Sequence, residues 1–153
     1  MNMLKVGDKA PEFSVLDEQS NLHTSESLKG SRYIVFFYPR ANTPGCTAEA
    51  CSLRDGYAWL QEKGYQIFGV SEDIPKKQLA FKEKYAFQYP LLADTEHQLI
   101  KGFGVWGPKK FMGKEYDGLH RTTFLVDEEG IITHVVEKVN TKDHANQLLE
   151  LIG

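Results

Sequence analysis

Two cysteines, Cys46 and Cys51, are the only thiols in the chain, with four residues between them. They follow the segment Pro39-Arg40-Ala41-Asn42-Thr43-Pro44-Gly45. Thr43 before Pro44 reads as a helix start. A threonine oxygen caps free amides, and proline suits the first helical position, where a missing N–H does no harm. Cys46 then takes the third helical position, beside backbone N–H groups that have no partner within the helix. A thiolate there gains about 0.3–1 kcal/mol from the helix dipole, and about 2 kcal/mol when partly buried. Bringing a thiol from its ordinary value of about 8.5 down to about 6 takes roughly 3.4 kcal/mol. The dipole falls short, so a nucleophilic Cys46 needs a fixed cation. Arg40, Arg54 and Arg121 are the candidates, because guanidinium keeps its proton.

Helical spacing also limits what the two thiols can do to each other. Cys46, Ala50, Leu53, Tyr57 and Leu60 recur at intervals of four and three, so they share one apolar, core-facing stripe. Cys51 lies about 140° around the helix from Cys46, with the two α-carbons roughly 8.7 Å apart. A disulfide needs about 4.4–6.8 Å, so the sulfurs join only if the first turns unwind. A cysteine on an apolar stripe is most often an inert core residue. The Thr-Pro-Gly start is what moves Cys46 towards chemistry; for Cys51 the inert and reactive readings balance. Zinc binding is disfavoured, because no second cysteine pair exists and no two of the five histidines are closer than ten residues.

The elements that must position these residues alternate between strand and helix. Residues 33–38 are an unbroken apolar run stopped by Pro39, the pattern of a strand buried on both faces. Helical periodicity follows over 44–63, with Gly64 as a stop, and 65–70 repeats the buried-strand pattern. Asp73 and Pro75 start a helix to residue 85, 91–93 forms a short strand, and Asp94 caps a short helix to residue 101. Five glycines between 102 and 118 interrupt any period, which predicts a structured loop. Residues 122–126 and 131–136 read as a β-hairpin, and Thr141 as the cap of a last helix with Leu148, Leu149 and Ile152 facing inward. Phe13 and Val15, then Leu22, suggest a small hairpin near the start. The expected architecture is α/β: a three-layer, thioredoxin-like sandwich with a mixed central β-sheet.

Composition agrees with one globular domain over residues 1–153. Apolar residues make up 41% and charged residues 25%, which excludes a disordered tail, a collagen-like fibre or a coiled coil. Eighteen basic and 21 acidic side chains give a net charge of −3 with no basic stripe, so nucleic acid is not an expected partner. The first residues contain no apolar signal segment, and no run approaches the roughly 18 apolar residues of a membrane span. The expectation is a soluble, cytoplasmic protein, in which so close a cysteine pair signals redox chemistry rather than a permanent staple.

Three segments carry a resemblance to the peroxiredoxins, and most closely to the bacterioferritin-comigratory-protein (peroxiredoxin Q) subfamily. They are Phe37-Tyr38-Pro39-Arg40-Ala41-Asn42-Thr43-Pro44-Gly45-Cys46-Thr47, then Gly104-Val105-Trp106-Gly107 with Phe111-Met112-Gly113-Lys114, then the stretch from Tyr116 through His120-Arg121-Thr122 to Asp127. The resemblance implies that Cys46 is a peroxidatic cysteine whose thiolate opens a hydroperoxide and becomes sulfenic acid. It implies that Thr43 offers its hydroxyl to the peroxide, that Arg121 holds the thiolate, and that Pro39 shields the pocket. With the amides of Gly45 and Cys46, these residues would bind the substrate. Cys51 matches a resolving cysteine that condenses with the sulfenate, leaving a disulfide for thioredoxin or a similar dithiol to reduce. No cofactor is implied, and a monomer is expected.

Two other readings stay open on the residues themselves. A thiol–disulfide oxidoreductase would use a Cys-x-x-Cys pair, and the wider spacing counts against it. A redox-responsive binding protein would use the Cys46–Cys51 bond to change a surface. Repeated turnover of hydroperoxide separates the peroxidase from that sensor, which reacts once.

Overall fold

A computed structural model describes residues 1–153. A small antiparallel hairpin, β1 (Ser14–Leu16) and β2 (Leu22–Thr24), precedes β3 (Arg32–Phe37). The chain continues through α1 (Pro44–Asp55), α2 (Tyr57–Glu62), β4 (Tyr65–Ser71), α3 (Pro75–Tyr85), β5 (Leu91–Ala93) and α4 (Gln98–Gly102). It closes with β6 (Trp106–Phe111), β7 (Lys114–Leu119), β8 (Thr122–Val126), β9 (Ile132–Val136) and α5 (His144–Ile152).

The five-stranded sheet has the order β5-β4-β3-β8-β9. β3 runs parallel to β4, β4 parallel to β5, and β8 and β9 run antiparallel. The sheet is therefore mixed, as the hairpin pattern at 122–136 requires. The apolar run of β3 has a plain cause. Tyr33, Val35 and Phe37 point into one core with Leu99, Ile100 and Phe103 near α4, whereas Ile34, Phe36 and Tyr38 point into a second core. That second core receives Cys46, Ala50 and Leu53 of α1, Leu60 of α2, Phe81 of α3 and Leu148 of α5. Helices on both faces make the three layers of the thioredoxin-like sandwich.

Four local expectations change. The helix expected over 44–63 is broken at Gly56, where a Cβ would lie 2.4 Å from Cβ of Ala145. Glycine there lets α5 approach α1, and the amide of Ala145 donates to Oγ of Ser52 at 3.0 Å. The segment 102–118 is a hairpin of β6 and β7 rather than a loop. Its two-residue turn uses left-handed backbone at Met112 (φ 50) and Gly113 (φ 80), the geometry that matches strand twist. Methionine is an unusual first turn residue, which hides the signal in the sequence. Thr43 does precede α1, but its hydroxyl donates to the Arg40 carbonyl at 2.9 Å instead of capping the helix. The last helix starts at His144, after Asp143, and not at Thr141.

Candidate active site

Topology brings Arg121 to the start of α1. β8 is antiparallel to β3, with Thr122 opposite Phe37, so the residue before β8 meets the chain just after β3. There the chain turns through Pro39 and Arg40 into α1. The Nη2 of Arg121 lies 3.4 Å from Sγ of Cys46, and Nη1 donates to Oε1 of Glu49 at 2.7 Å. Gly45 makes room for this arrangement: a Cβ on it would lie 3.2 Å from Nη2 of Arg121. Of the three candidate arginines, only Arg121 reaches the sulfur. Arg54 is engaged by Asp55 at 3.0 Å and by the Tyr85 carbonyl at 2.9 Å, and Arg40 stands exposed at the rim.

Cys46 is buried, 1% exposed, at the floor of a cleft of about 1050 Å³. Pro39, Thr43 and Pro44 form one wall, and Trp106, Lys109 and Leu119 of the β6–β7 hairpin form another. The amides of Gly45 and Cys46 have no backbone acceptor, since the first α1 amide to find one is that of Thr47, bonded to the Thr43 carbonyl at 2.8 Å. Sulfur and guanidinium are in contact at the cleft, the Thr43 side chain lines it, and unpaired amides lie at the same helix start, the kinds of donor that hold an oxygen bearing new negative charge. Of the residues that the sequence singles out for binding, Pro39, Thr43, Cys46 and Arg121 line this cleft, and Gly45 lies against Arg121.

Cys51 stands apart from it. Both thiols are free and both lie within the continuous helix α1. Burial pushes the Cys51 thiol up, Arg54 partly offsets that, and Asp55 adds to it. A raised thiol is a poor nucleophile while the helix is closed. From Ala50 onward the helix is tied to its surroundings. The Tyr89 hydroxyl donates to the Ala50 carbonyl at 2.7 Å, and the Gln88 amide donates to the Arg54 carbonyl at 3.0 Å.

Sequence reasoning did not single out Glu49 or His144. Both are fully buried. Burial pushes the Glu49 carboxyl up to about 7, against the pull of Arg121. Burial likewise lowers His144 to about 4. A glutamate three residues after Cys46, on an otherwise apolar stripe, was the one available signal. His144 had none, because its contact to α1 joins residues far apart in the chain.

Residues 6–135 match the model of the AhpC/TSA family. The chain is 46% identical over 149 residues to peroxiredoxin Bcp of Escherichia coli K12, covering 97% of this chain and 96% of that protein. It is 43% identical over 152 residues to a putative peroxiredoxin bcp of Haemophilus influenzae, covering 99% and 98%. Among solved structures it is similar to the Xanthomonas campestris bacterioferritin comigratory protein, whose complexes concern alkyl peroxide reduction. That similarity has a TM-score of 0.86 at 28% identity and covers 95% of this chain and 97% of the other. Motif, fold and relatives agree, and the chain belongs to the AhpC/TSA family, in its bacterioferritin-comigratory-protein (peroxiredoxin Q) branch of peroxiredoxins.

Proposed function

We propose that residues 1–153 act as one unit that reduces hydrogen peroxide and alkyl hydroperoxides in two half-reactions. In the first, the Cys46 thiolate attacks one peroxide oxygen. The S–O bond forms as the O–O bond breaks, sulfur gives up two electrons, and the departing oxygen takes a proton to become alcohol or water. Arg121, the Thr43 hydroxyl and the amides of Gly45 and Cys46 hold the oxygen on which charge grows. Pro39 limits water at the sulfur. The observation that carries this reading is the 3.4 Å contact between Arg121 and Cys46, at a helix start that opens onto a cleft.

In the second half-reaction α1 unwinds, Cys51 loses its burial, and its thiolate displaces hydroxide from the Cys46 sulfenic acid to give a disulfide. Thioredoxin or a similar dithiol then reduces that disulfide. In this reading the chain works as a monomer in the cytoplasm.

The test is peroxide consumption coupled to thioredoxin and its reductase. Cys46→Ser should abolish consumption, and turnover near the parent rate would overturn the nucleophile. Cys51→Ser should keep one equivalent of peroxide consumed but stop cycling. Unchanged cycling would assign resolution to a different thiol.

A further inference from the structure

The buried side of Arg121 carries chemistry that the two half-reactions leave unused. Glu49 accepts from Arg121 with Oε1 alone; its Oε2 is buried and has no hydrogen-bond partner. Nε2 of His144 lies 3.6 Å from Oε2, beyond hydrogen-bond range. Could that nitrogen be a donor? The Gln147 amide nitrogen donates to the Lys138 carbonyl at 2.9 Å, so Oε1 of Gln147 is the atom facing the histidine. That oxygen already accepts from the Asn140 amide, and His144 Nδ1 lies 2.8 Å from it. Nδ1 therefore carries the proton of the neutral ring. Nε2 is left with its lone pair, which accepts from the Thr123 hydroxyl at 2.8 Å.

An ionised Glu49 would then hold a charged oxygen against a lone pair, fully out of water, with no donor of its own. Arg121 meets only Oε1 and also serves the Cys46 sulfur, so with Cys46 ionised a charged Glu49 would be a second buried anion on one cation, with Oε2 unpaired. Buried charge that is not fully compensated costs several kcal/mol, and such groups neutralise instead. The remaining ionisable groups near this cluster do not relieve it. Tyr38 and Tyr89 are held well above their ordinary range by burial and stay neutral, and Lys109 lies on the cleft side, near Cys46 and Arg121.

We propose that Glu49 carries a proton on Oε2, facing His144, while Cys46 is a thiolate, and gives it up when Cys46 becomes sulfenic acid. The inference rests on the peroxidase reading above. In the reduced protein, thiolate, guanidinium and neutral carboxyl sum to zero charge. Oxidation converts the thiolate into a neutral S–OH and leaves Arg121 without its anion. Ionised Glu49, already bonded to Arg121, restores the balance. The proton released by Glu49 matches the one that the departing alkoxide or hydroxide takes up, so sulfur oxidation exchanges no net proton with solvent. Glu49 is thus a positioning residue that acts through Arg121, and His144 keeps it neutral by withholding a donor.

The experiment is a single turnover with one equivalent of hydrogen peroxide, in the Cys51→Ser background, which cannot form the intramolecular disulfide. It is run in weak buffer with a pH indicator, at a pH below the value of about 7 to which Glu49 is raised. Sulfenic acid is counted by dimedone trapping and mass spectrometry. With Glu49 intact, proton uptake per sulfenic acid should be near zero; with Glu49→Gln added, it should rise to about one. Equal uptake in the two proteins overturns the proposal. Absence of sulfenic acid at Cys46 would instead overturn the peroxidase reading. Should Glu49→Gln fail to fold, the reduced-minus-oxidised infrared spectrum of the Cys51→Ser protein decides. A protonated-carboxyl band must disappear on oxidation, and its persistence overturns the proposal.

Discussion

Arg121 holds two partners with one planar group, the sulfur of Cys46 through Nη2 and the carboxyl of Glu49 through Nη1. A charge-assisted hydrogen bond contributes about 1.5–3 kcal/mol. Arg121→Gln should therefore slow the second-order reaction with hydrogen peroxide by about ten- to a hundredfold, measured by stopped flow. Arg121→Lys should not rescue it, since an ammonium cannot span both partners with a fixed fork. A lysine variant at the parent rate would show that charge alone, without the bridge to Glu49, is sufficient. The same scale explains Thr43. Its hydroxyl is not spent on capping; it sits in the cleft wall and donates to the Arg40 carbonyl, and in the proposed reaction it would turn to a substrate oxygen.

At the scale of elements, the proposed disulfide step depends on where α1 would stop unwinding. Ties begin at Ala50: the Tyr89 hydroxyl on its carbonyl, the Ala145 amide on Ser52, and the Gln88 amide on the Arg54 carbonyl. The turns before Ala50 hold to the rest of the protein chiefly through Arg121 and the burial of Cys46. Tyr89→Phe removes one tie of about 1 kcal/mol and should speed disulfide formation roughly fivefold. Faster closure leaves less sulfenic acid for excess peroxide, so mass spectrometry should find less sulfinic acid in the variant. An unchanged closure rate would place the melting boundary elsewhere. Gly56 marks the far end of the same helix. Gly56→Ala would force its methyl against Ala145 and should cost about 1–3 kcal/mol in urea unfolding, whereas a neutral result would mean that α5 shifts freely.

At the scale of the whole molecule, burying Glu49 and His144 together links stability to pH in opposite directions. Glu49 is raised from 4.5 to about 7, so its contribution is fully present below 4.5 and is lost as pH rises through about 7. His144 is lowered from 6.5 to about 4, so its contribution is present above 6.5 and is lost as pH falls through about 4. Over the shared window the two slopes offset each other. In Glu49→Gln only the histidine slope remains. Relative to the variant, the parent protein should lose about 1.4 kcal/mol per pH unit on going from pH 4.5 towards 7, read from urea midpoints across that range. A flat difference would show that Glu49 is ionised throughout the window.

The sequence by itself determined the chemistry-bearing helix. Thr43-Pro44-Gly45-Cys46 starts a helix through local backbone rules, the apolar stripe through Leu53 and Leu60 faces the core, and the runs at 33–38 and 65–70 are buried strands. These are short-range properties, set within one or two turns or one strand, and they are legible without a fold. The need for a cation was legible too, but not which arginine. Tertiary structure decided that. Only the antiparallel pairing of β8 with β3 brings Arg121 to the tip of α1, across 75 residues of chain. The same holds for the contact between Glu49 and His144, for the break at Gly56 under Ala145, and for the hairpin concealed by Met112. Each depends on which surfaces meet after the sheet closes, and periodicity along one segment contains no record of its distant partner.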